Sequence, residues 1–410
     1  MQDIQILRAL AARYAQAAFS DENLRNMAHH RAVNDNQGAR PIVLVDEIPW
    51  FEMQVGDELT LRCKDPALQR AEWYFRRMLY CWQYMRADMA LPPFYGVKKQ
   101  IKSGGNGIER LFRDDGTKGN TIQAHTFQNQ FQCEADLEKL HNEVISYDEA
   151  ATRAEYERVA NVIGDVLPVK IVGEQSGYSL GCVTWDLISN YCGLDTLFLD
   201  LLDKPKLMHA LANKLTDIYI DKVYQYEALN LLEGESYTLH CTAGLTNDLT
   251  PERAHPKLRQ MWGRGTAQIL GSVSPEMHDE FDIQYMVRAM EPFGLTYYGC
   301  CEPLDGKIDI LEKLPNLRKI SVTPWANVDV ACERIAGRHV VASKPNPSAV
   351  AVPALDEAAV RAELERIVDA CYRNNCSCDM VLKDITTVCS KPQTLWRWVE
   401  IAMETVRKYG

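Results

Sequence analysis

No run of about 18 apolar residues occurs anywhere in the 410-residue chain, so no segment has the length to cross a bilayer as a helix. The N-terminal apolar stretch, Ile4 to Phe19, is interrupted by Arg8, Arg13 and Gln16 and lacks the hydrophobic centre of a signal peptide. Its spacing of Ile4, Leu7, Leu10, Ala11, Tyr14 and Ala18 predicts an amphipathic helix instead. Positive charge is in deficit: 45 Lys and Arg stand against 56 Asp and Glu, a net charge of −11, and no basic run interrupts this balance. That argues against a nucleic-acid-binding surface. Repeats and low-complexity segments are absent. Gly104-Gly105-Asn106-Gly107 has no strand leading into it with the right spacing and no following Lys-Ser/Thr, so it is neither a dinucleotide-binding nor a P-loop motif. Cysteine is plentiful at 13 residues, but the number is odd, the positions are scattered and no secretory signal accompanies them. Reduced thiols and a cytoplasmic setting are expected.

Apolar residues make up 46% and charged residues 25%, the balance of an ordinary enzyme with a large core. The length accommodates two or three domains, or one elaborated (β/α)8 barrel. Residues 1–80 read as an N-terminal helical and loop extension containing a short apolar run, Pro41-Ile-Val-Leu-Val45, and the start of an aromatic and basic helix, Glu72 to Met85. An insertion at about 100–150 is rich in Gly, Asp and Lys and precedes a helix over roughly 148–164. Short apolar runs then alternate with helical stretches: 169–172, 236–239, 267–270, 295–298, 318–322, 339–342 and 379–382. With 87–91 they make eight, the pattern of a parallel (β/α)8 barrel over 81–410. A doubly wound sheet shows the same alternation. Ser274-Pro275-Glu276 and Asp356-Glu357 are good helix starts.

In such a barrel the chemistry sits just past the C-terminal ends of the strands. Those positions carry Phe94, Glu174 to Tyr178, His240-Cys241, Ser272, Cys300-Cys301-Glu302, Trp325, Lys344 with Asn346, and Lys383-Asp384. Cys300-Cys301-Glu302 is the sharpest of these. Two thiols and a carboxylate at one turn, with His240-Cys241 two strands away, offer sulfur, oxygen and nitrogen ligands of the kind zinc accepts. As plain structure, the two Cys are small apolar residues at a strand end and Glu302 caps a turn. At most one thiol faces the interior unless the strand has already ended. Cys376-Ser-Cys378, before the last strand, reads as structural, and His278 as a surface or packing residue in a helix's first turns.

The chain resembles the uroporphyrinogen decarboxylase superfamily, which also contains corrinoid-dependent methyltransferases. The resemblance is carried by Trp185-Asp186, Leu197 to His209, Val273-Ser-Pro-Glu-Met-His-Asp-Glu-Phe281, Tyr297-Tyr-Gly-Cys-Cys-Glu-Pro-Leu304 and Lys344-Pro-Asn-Pro347, and it covers about 50–408. The cysteine-pair pattern is similar to a decarboxylase-like branch of anaerobic bacteria. The resemblance implies a (β/α)8 barrel. Two features depart from it. The Arg-Pro-x-Trp-x-Met-Arg-Gln-Ala-Gly segment of authentic decarboxylases has no counterpart in residues 1–60, and no arginine cluster is evident for a polycarboxylate. The thiol-methylating branch holds zinc with a His-x-Cys and a later Cys, whereas here Tyr298-Gly-Cys-Cys-Glu302 and Leu382-Lys-Asp384 stand at those places.

The expectation is therefore a methyltransferase. It would demethylate a small O-methyl or N-methyl compound and pass the methyl group to the cobalt of a corrinoid protein. Glu302, Lys383, Lys344 and Asp384 are the expected catalytic groups, for acid–base work and for stabilising developing charge. Glu174, Tyr178, Phe94, Trp325 and Asn346 are expected to contact substrate, and His240, Cys300, Cys301 and Glu302 to hold zinc. The alternative is a lyase or decarboxylase acting on a small carboxylated substrate without corrinoid, using Lys383, Lys344 and Glu302 and no metal.

Overall fold

A computed structural model describes residues 2–114, 125–175, 179–252 and 254–409. Its strands are β1 (Ile42–Val45), β2 (Tyr95–Lys98), β3 (Gln100–Ser103), β4 (Phe112–Asp114), β5 (His125–Phe127), β6 (Ile145–Asp148), β7 (Val169–Val172), β8 (Thr238–Leu239), β9 (Thr242–Ala243), β10 (Trp262–Gly265), β11 (Leu295–Tyr298), β12 (Leu317–Val322), β13 (Val340–Ser343) and β14 (Cys378–Leu382). Six of them form an entirely parallel sheet in the order β1-β14-β13-β12-β11-β10. β2 and β7 form a second parallel pair. Parallel bridges from Cys182 to Gly265 and from Glu174 to Leu232 continue the wall between the two sheets. The architecture is α/β with a parallel sheet. The described ladders do not themselves complete a closed barrel, because β1 is flanked on its free edge by Asp88 rather than by a strand. The Asp88 N–H donates to the Val43 carbonyl (3.0 Å), and the Asp88 carboxylate accepts the Val43 N–H (2.9 Å) while Arg40 forks onto it (2.7 and 2.9 Å).

Several strands stand where apolar runs predict them, and the exceptions have physical causes. The run 267–270 is a tight 3-10 turn (Gln268–Ser272), and the wall strand lies earlier, in Trp262-Gly-Arg-Gly265. Two glycines and an arginine hide that strand from a hydrophobicity scan. The glycines are required there: a Cβ on Gly263 would stand 2.6 Å from Phe293 Cδ2, and one on Gly265 2.4 Å from Met286 Sδ. The run 236–239 contributes only the first arm of an antiparallel hairpin, β8–β9. The run 87–91 forms no strand. Ile42–Val45 lies within the expected N-terminal extension, yet it is a wall strand in register with β14, from Ile42 opposite Asp379 to Val45 opposite Leu382. The expected insertion contains the β3–β6 and β4–β5 antiparallel pairs. Helices cover the sheet as their caps predict: Ser274 accepts the Met277 N–H, and Asp356 accepts the Ala359 N–H.

One buried ion pair ties the β8–β9 hairpin into the sheet. Lys319 on β12 and Asp379 on β14 are both fully buried, 2.8 Å apart. Lys319 also donates to Thr242 Oγ1 (3.0 Å) and the Ala243 carbonyl (2.9 Å), and Asp379 accepts the Thr242 hydroxyl (2.5 Å). Removing one member strands the other's charge in the core. Lys319→Met is expected to cost about 3 to 5 kcal/mol in denaturant unfolding, and Lys319→Met combined with Asp379→Leu to recover much of that loss. A single-variant loss below about 1 kcal/mol would show that the pair does not hold the hairpin.

Candidate active site

Parallel pairing places the C-terminal ends of β1, β11, β13 and β14 on one rim, the position at which barrel-type enzymes carry their chemistry. Glu47 follows β1, Cys300-Cys301-Glu302 follow β11, Lys344 follows β13 and Lys383-Asp384 follow β14. The turn of the β8–β9 hairpin adds His240 and Cys241. β11 ends at Tyr298, and Gly299 turns the chain at φ +103°, so the alternation of faces stops before the thiols. Both thiols consequently face the same group. Lys383 Nζ lies 3.2 Å from Cys301 Sγ and 3.7 Å from Cys300 Sγ, and the two sulfurs are 3.6 Å apart. Cys300 Sγ also meets His240 Nε2 at 3.3 Å, and Cys301 Sγ lies 3.6 Å from Asp384 Oδ2.

The electrostatics of this cluster follow from those contacts. The hydrogen bond from Cys301 draws the Cys300 thiol well below the usual range against the opposing effect of burial, and His240, Lys383 and Arg264 reinforce it. Cys301, holding the shared proton, is pushed up. Burial by itself would lower the Lys383 ammonium, but Cys241, Cys300 and Asp384, 2.9 Å away, outweigh it and hold Lys383 charged. Lys344 is buried and donates to the Cys241 carbonyl, and burial drives its pKa down.

Glu302, expected as an acid or a metal ligand, lies below the surface of the rim. It is buried, and each carboxylate oxygen is already engaged: Oε1 by the Thr266 hydroxyl (2.8 Å) and Oε2 by the Cys300 N–H (2.9 Å). Burial raises its pKa. Its role is to fix the backbone that carries the thiols. A mixed donor group forms nearby instead: Glu47, His240 and Cys241 offer ligand atoms that all lie within 4.8 Å of one another.

The expected substrate contacts divide. Phe94 and Glu174 line a cavity of about 790 Å³ that also reaches Glu47, Trp50, Tyr237 and Thr242; its described lining does not include Cys300, Cys301 or Lys383. Lys170 Nζ stands 4.1 Å above the Phe94 ring. Trp325 is 70% exposed. Asn346 is occupied in structure, its side chain accepting the Ser348 N–H (3.0 Å) and its own N–H bound by Glu363 (2.9 Å). Tyr178 lies outside the described residues. Three further groups near the rim were given no catalytic or ligand role by the sequence; of these His278, read as a surface or packing residue, is a packing one. Glu47 directly follows an apolar run that was not counted among the wall strands. Asp186 is pushed up to about 6, first by burial and then by Glu302 and Cys300. His278 is fully buried, between Lys307 Nζ (3.1 Å) and the Tyr298 hydroxyl (2.7 Å), which donates to Asp282 (2.7 Å). Cys376, just before β14, and Cys378, its first residue, are both buried, as expected of structural thiols.

No family model matches the chain, and no curated protein matches it. Among solved structures, a methyltransferase from Methanosarcina mazei is similar over 94% of this chain and 98% of that chain, with 12% identity and a TM-score of 0.46. No helix among the described residues is long and apolar enough to cross a membrane.

The lowered Cys300 pKa has a direct optical consequence. Chelator-treated protein should carry one thiolate of this pair at pH 7, where an ordinary thiol near 8.5 is largely protonated. Thiolate absorbance near 240 nm should fall at pH 7 in Cys300→Ser. In Lys383→Met its onset should move to higher pH, because one of the groups that stabilise the thiolate, beside Cys301 and His240, is gone. Identical profiles for all three proteins between pH 5 and 9 would refute the shared-proton arrangement.

Proposed function

We propose that this chain is a methyltransferase that takes a methyl group from a small O-methyl or N-methyl compound and delivers it to the cobalt of a partner corrinoid protein, on a (β/α)8 framework. The observation that carries this reading is the thiol, imidazole and ammonium cluster at the strand-end rim, a rim whose Glu47 also lines a cavity large enough for a small organic donor. A reduced corrinoid supplies both electrons of the new carbon–cobalt bond, so the protein need not create a nucleophile. Its task is to hold the donor and to receive the charge that builds on the departing oxygen or nitrogen as the methyl bond breaks.

Lys383 is the group suited to that charge. It is buried, held in its charged form and fixed by three partners, so its field needs no reorganisation when the leaving atom becomes negative. Glu302 keeps Cys300 and Cys301 in place through the Cys300 N–H. Phe94 and Glu174 contribute to the wall that orients the donor. The corrinoid partner docks on the rim face, the only approach that brings cobalt to a methyl group held there. In the zinc ligand set expected from the sequence, each Glu302 oxygen also accepts one hydrogen bond, from the Thr266 hydroxyl and from the Cys300 N–H. No step is assigned to that set.

The test is an assay of candidate methyl donors with and without a reduced corrinoid protein, followed by the change in cobalt absorbance. Donor consumption should require the acceptor, and Lys383→Met should lower turnover by about 100-fold or more, the usual size of a positioned charge or acid contribution. Equal consumption without corrinoid would overturn methyl transfer and favour a lyase or decarboxylase built on Lys344, Lys383 and Glu302.

A further inference from the structure

The donor group formed by Glu47, His240 and Cys241 arises from two separate places, the end of β1 and the turn of the β8–β9 hairpin. We infer that these three residues are a binding site for a borderline divalent transition ion, zinc in the first instance. The inference rests on the rim being the reactive site, though metal uptake is measurable independently of any reaction.

Four observations support it. First, the set is chemically matched: one carboxylate, one imidazole and one thiol are the ligand types zinc accepts, and three protein ligands leave a fourth position open, as in catalytic zinc sites. Second, the spacing is close. The ligand atoms lie within 4.8 Å of one another, and tetrahedral zinc with bonds of about 2.0–2.3 Å needs them roughly 3.5 Å apart. Third, the backbone is held in an unfavourable conformation at both contributing segments. Glu47 at φ +50° and Cys241 at φ +53° occupy the left-handed region without being glycine, as does the neighbouring Asp384 at φ +56°. Such conformations cost on the order of 1–3 kcal/mol each and persist where surrounding contacts enforce them. Here the contacts are visible. The Asp384 N–H donates to Glu47 Oε2 (3.1 Å), and Lys344 holds the Cys241 carbonyl. Fourth, the open side has a use. Glu47 lines the large cavity, so an occupant of that cavity can reach the site.

The assignment keeps His240 from the set the sequence selects and joins it to Glu47 and Cys241 in place of Cys300, Cys301 and Glu302. In this assignment Cys301 faces Lys383 and Asp384, Glu302 accepts the Cys300 N–H, and neither is counted among the ligands. The ordinary alternative is that Glu47 merely accepts the Asp384 N–H while Cys241 fills space as a small buried residue.

The full-length protein, purified without chelator, should contain about one zinc per chain by elemental analysis. After metal removal it should take up Co²⁺ and show the near-ultraviolet absorption of a cobalt–thiolate bond. Cys241→Ser should abolish that absorption, and Glu47→Ala and His240→Ala should each weaken uptake at least tenfold. Cys301→Ser and Glu302→Gln should leave uptake nearly unchanged. Far-ultraviolet circular dichroism identifies any variant that fails to fold, and Cys241→Ser, the smallest change, then decides alone. Absence of zinc together with no Co²⁺ uptake would overturn the site. So would uptake that survives Cys241→Ser but is lost in Cys301→Ser. These measurements use neither donor nor corrinoid. A failure here leaves the methyl-transfer reading standing, and a failure of methyl transfer leaves this site standing.

Discussion

The ion pair between Lys319 and Asp379 sets the geometry on which the rim depends. Both charges are fully buried, and burial by itself would raise the Asp379 carboxyl; Lys319 and then Lys344 more than reverse that and hold it charged. The pair is held together by what it captures. Lys319 uses its remaining donors on Thr242 and Ala243, and Asp379 takes the Thr242 hydroxyl, so the second arm of the hairpin is fastened to the interior face of the sheet. With that arm fixed, the turn ahead of it can lie only at the rim. His240 and Cys241 are in that turn. An apolar core would bury the hairpin as well, but it would not specify which residues meet which strand.

Charge balance at the rim has the same character. Three lysines, Lys319, Lys344 and Lys383, point into a region that also holds Asp379, Asp384, Glu47, Glu302 and the thiols. Burial pulls Lys319 and Lys344 toward neutrality, whereas the sulfur and carboxylate neighbours of Lys383 keep it charged. Lys383 is therefore a fixed positive point beside thiols that share a proton, the arrangement in which an electron-rich leaving atom is stabilised without solvent. Behind it, the chain from Lys307 through His278 and Tyr298 to Asp282 fills the space under the rim with satisfied polar groups.

Much of this was legible from residue order. The apolar runs of β7, β11, β12, β13 and β14, and the polar residues just beyond them, place Cys300, Cys301, Lys344, Lys383 and Asp384 on one rim before any coordinates are consulted. What escaped has identifiable causes. Trp262-Gly-Arg-Gly265 does not read as a strand because its glycines answer to Phe293 and Met286, residues distant in sequence. Ile42–Val45 reads as peripheral because it lies far from the other wall strands along the chain, although it pairs with the last of them, and Glu47 was missed with it. Glu302 looks like a ligand because it follows two cysteines. Only the fold reveals that Thr266 and its own loop claim both oxygens.

The functional claim is that a methyl carbon leaves a small donor and arrives on cobalt at this rim. The most direct measurement is a single-turnover reaction of a ¹³C-methyl donor with the protein and a reduced corrinoid protein, read by carbon NMR. The label should appear on cobalt in step with demethylated donor, one for one. A product formed while the label stays on the donor, or a carboxyl carbon released as carbon dioxide in its place, would contradict it.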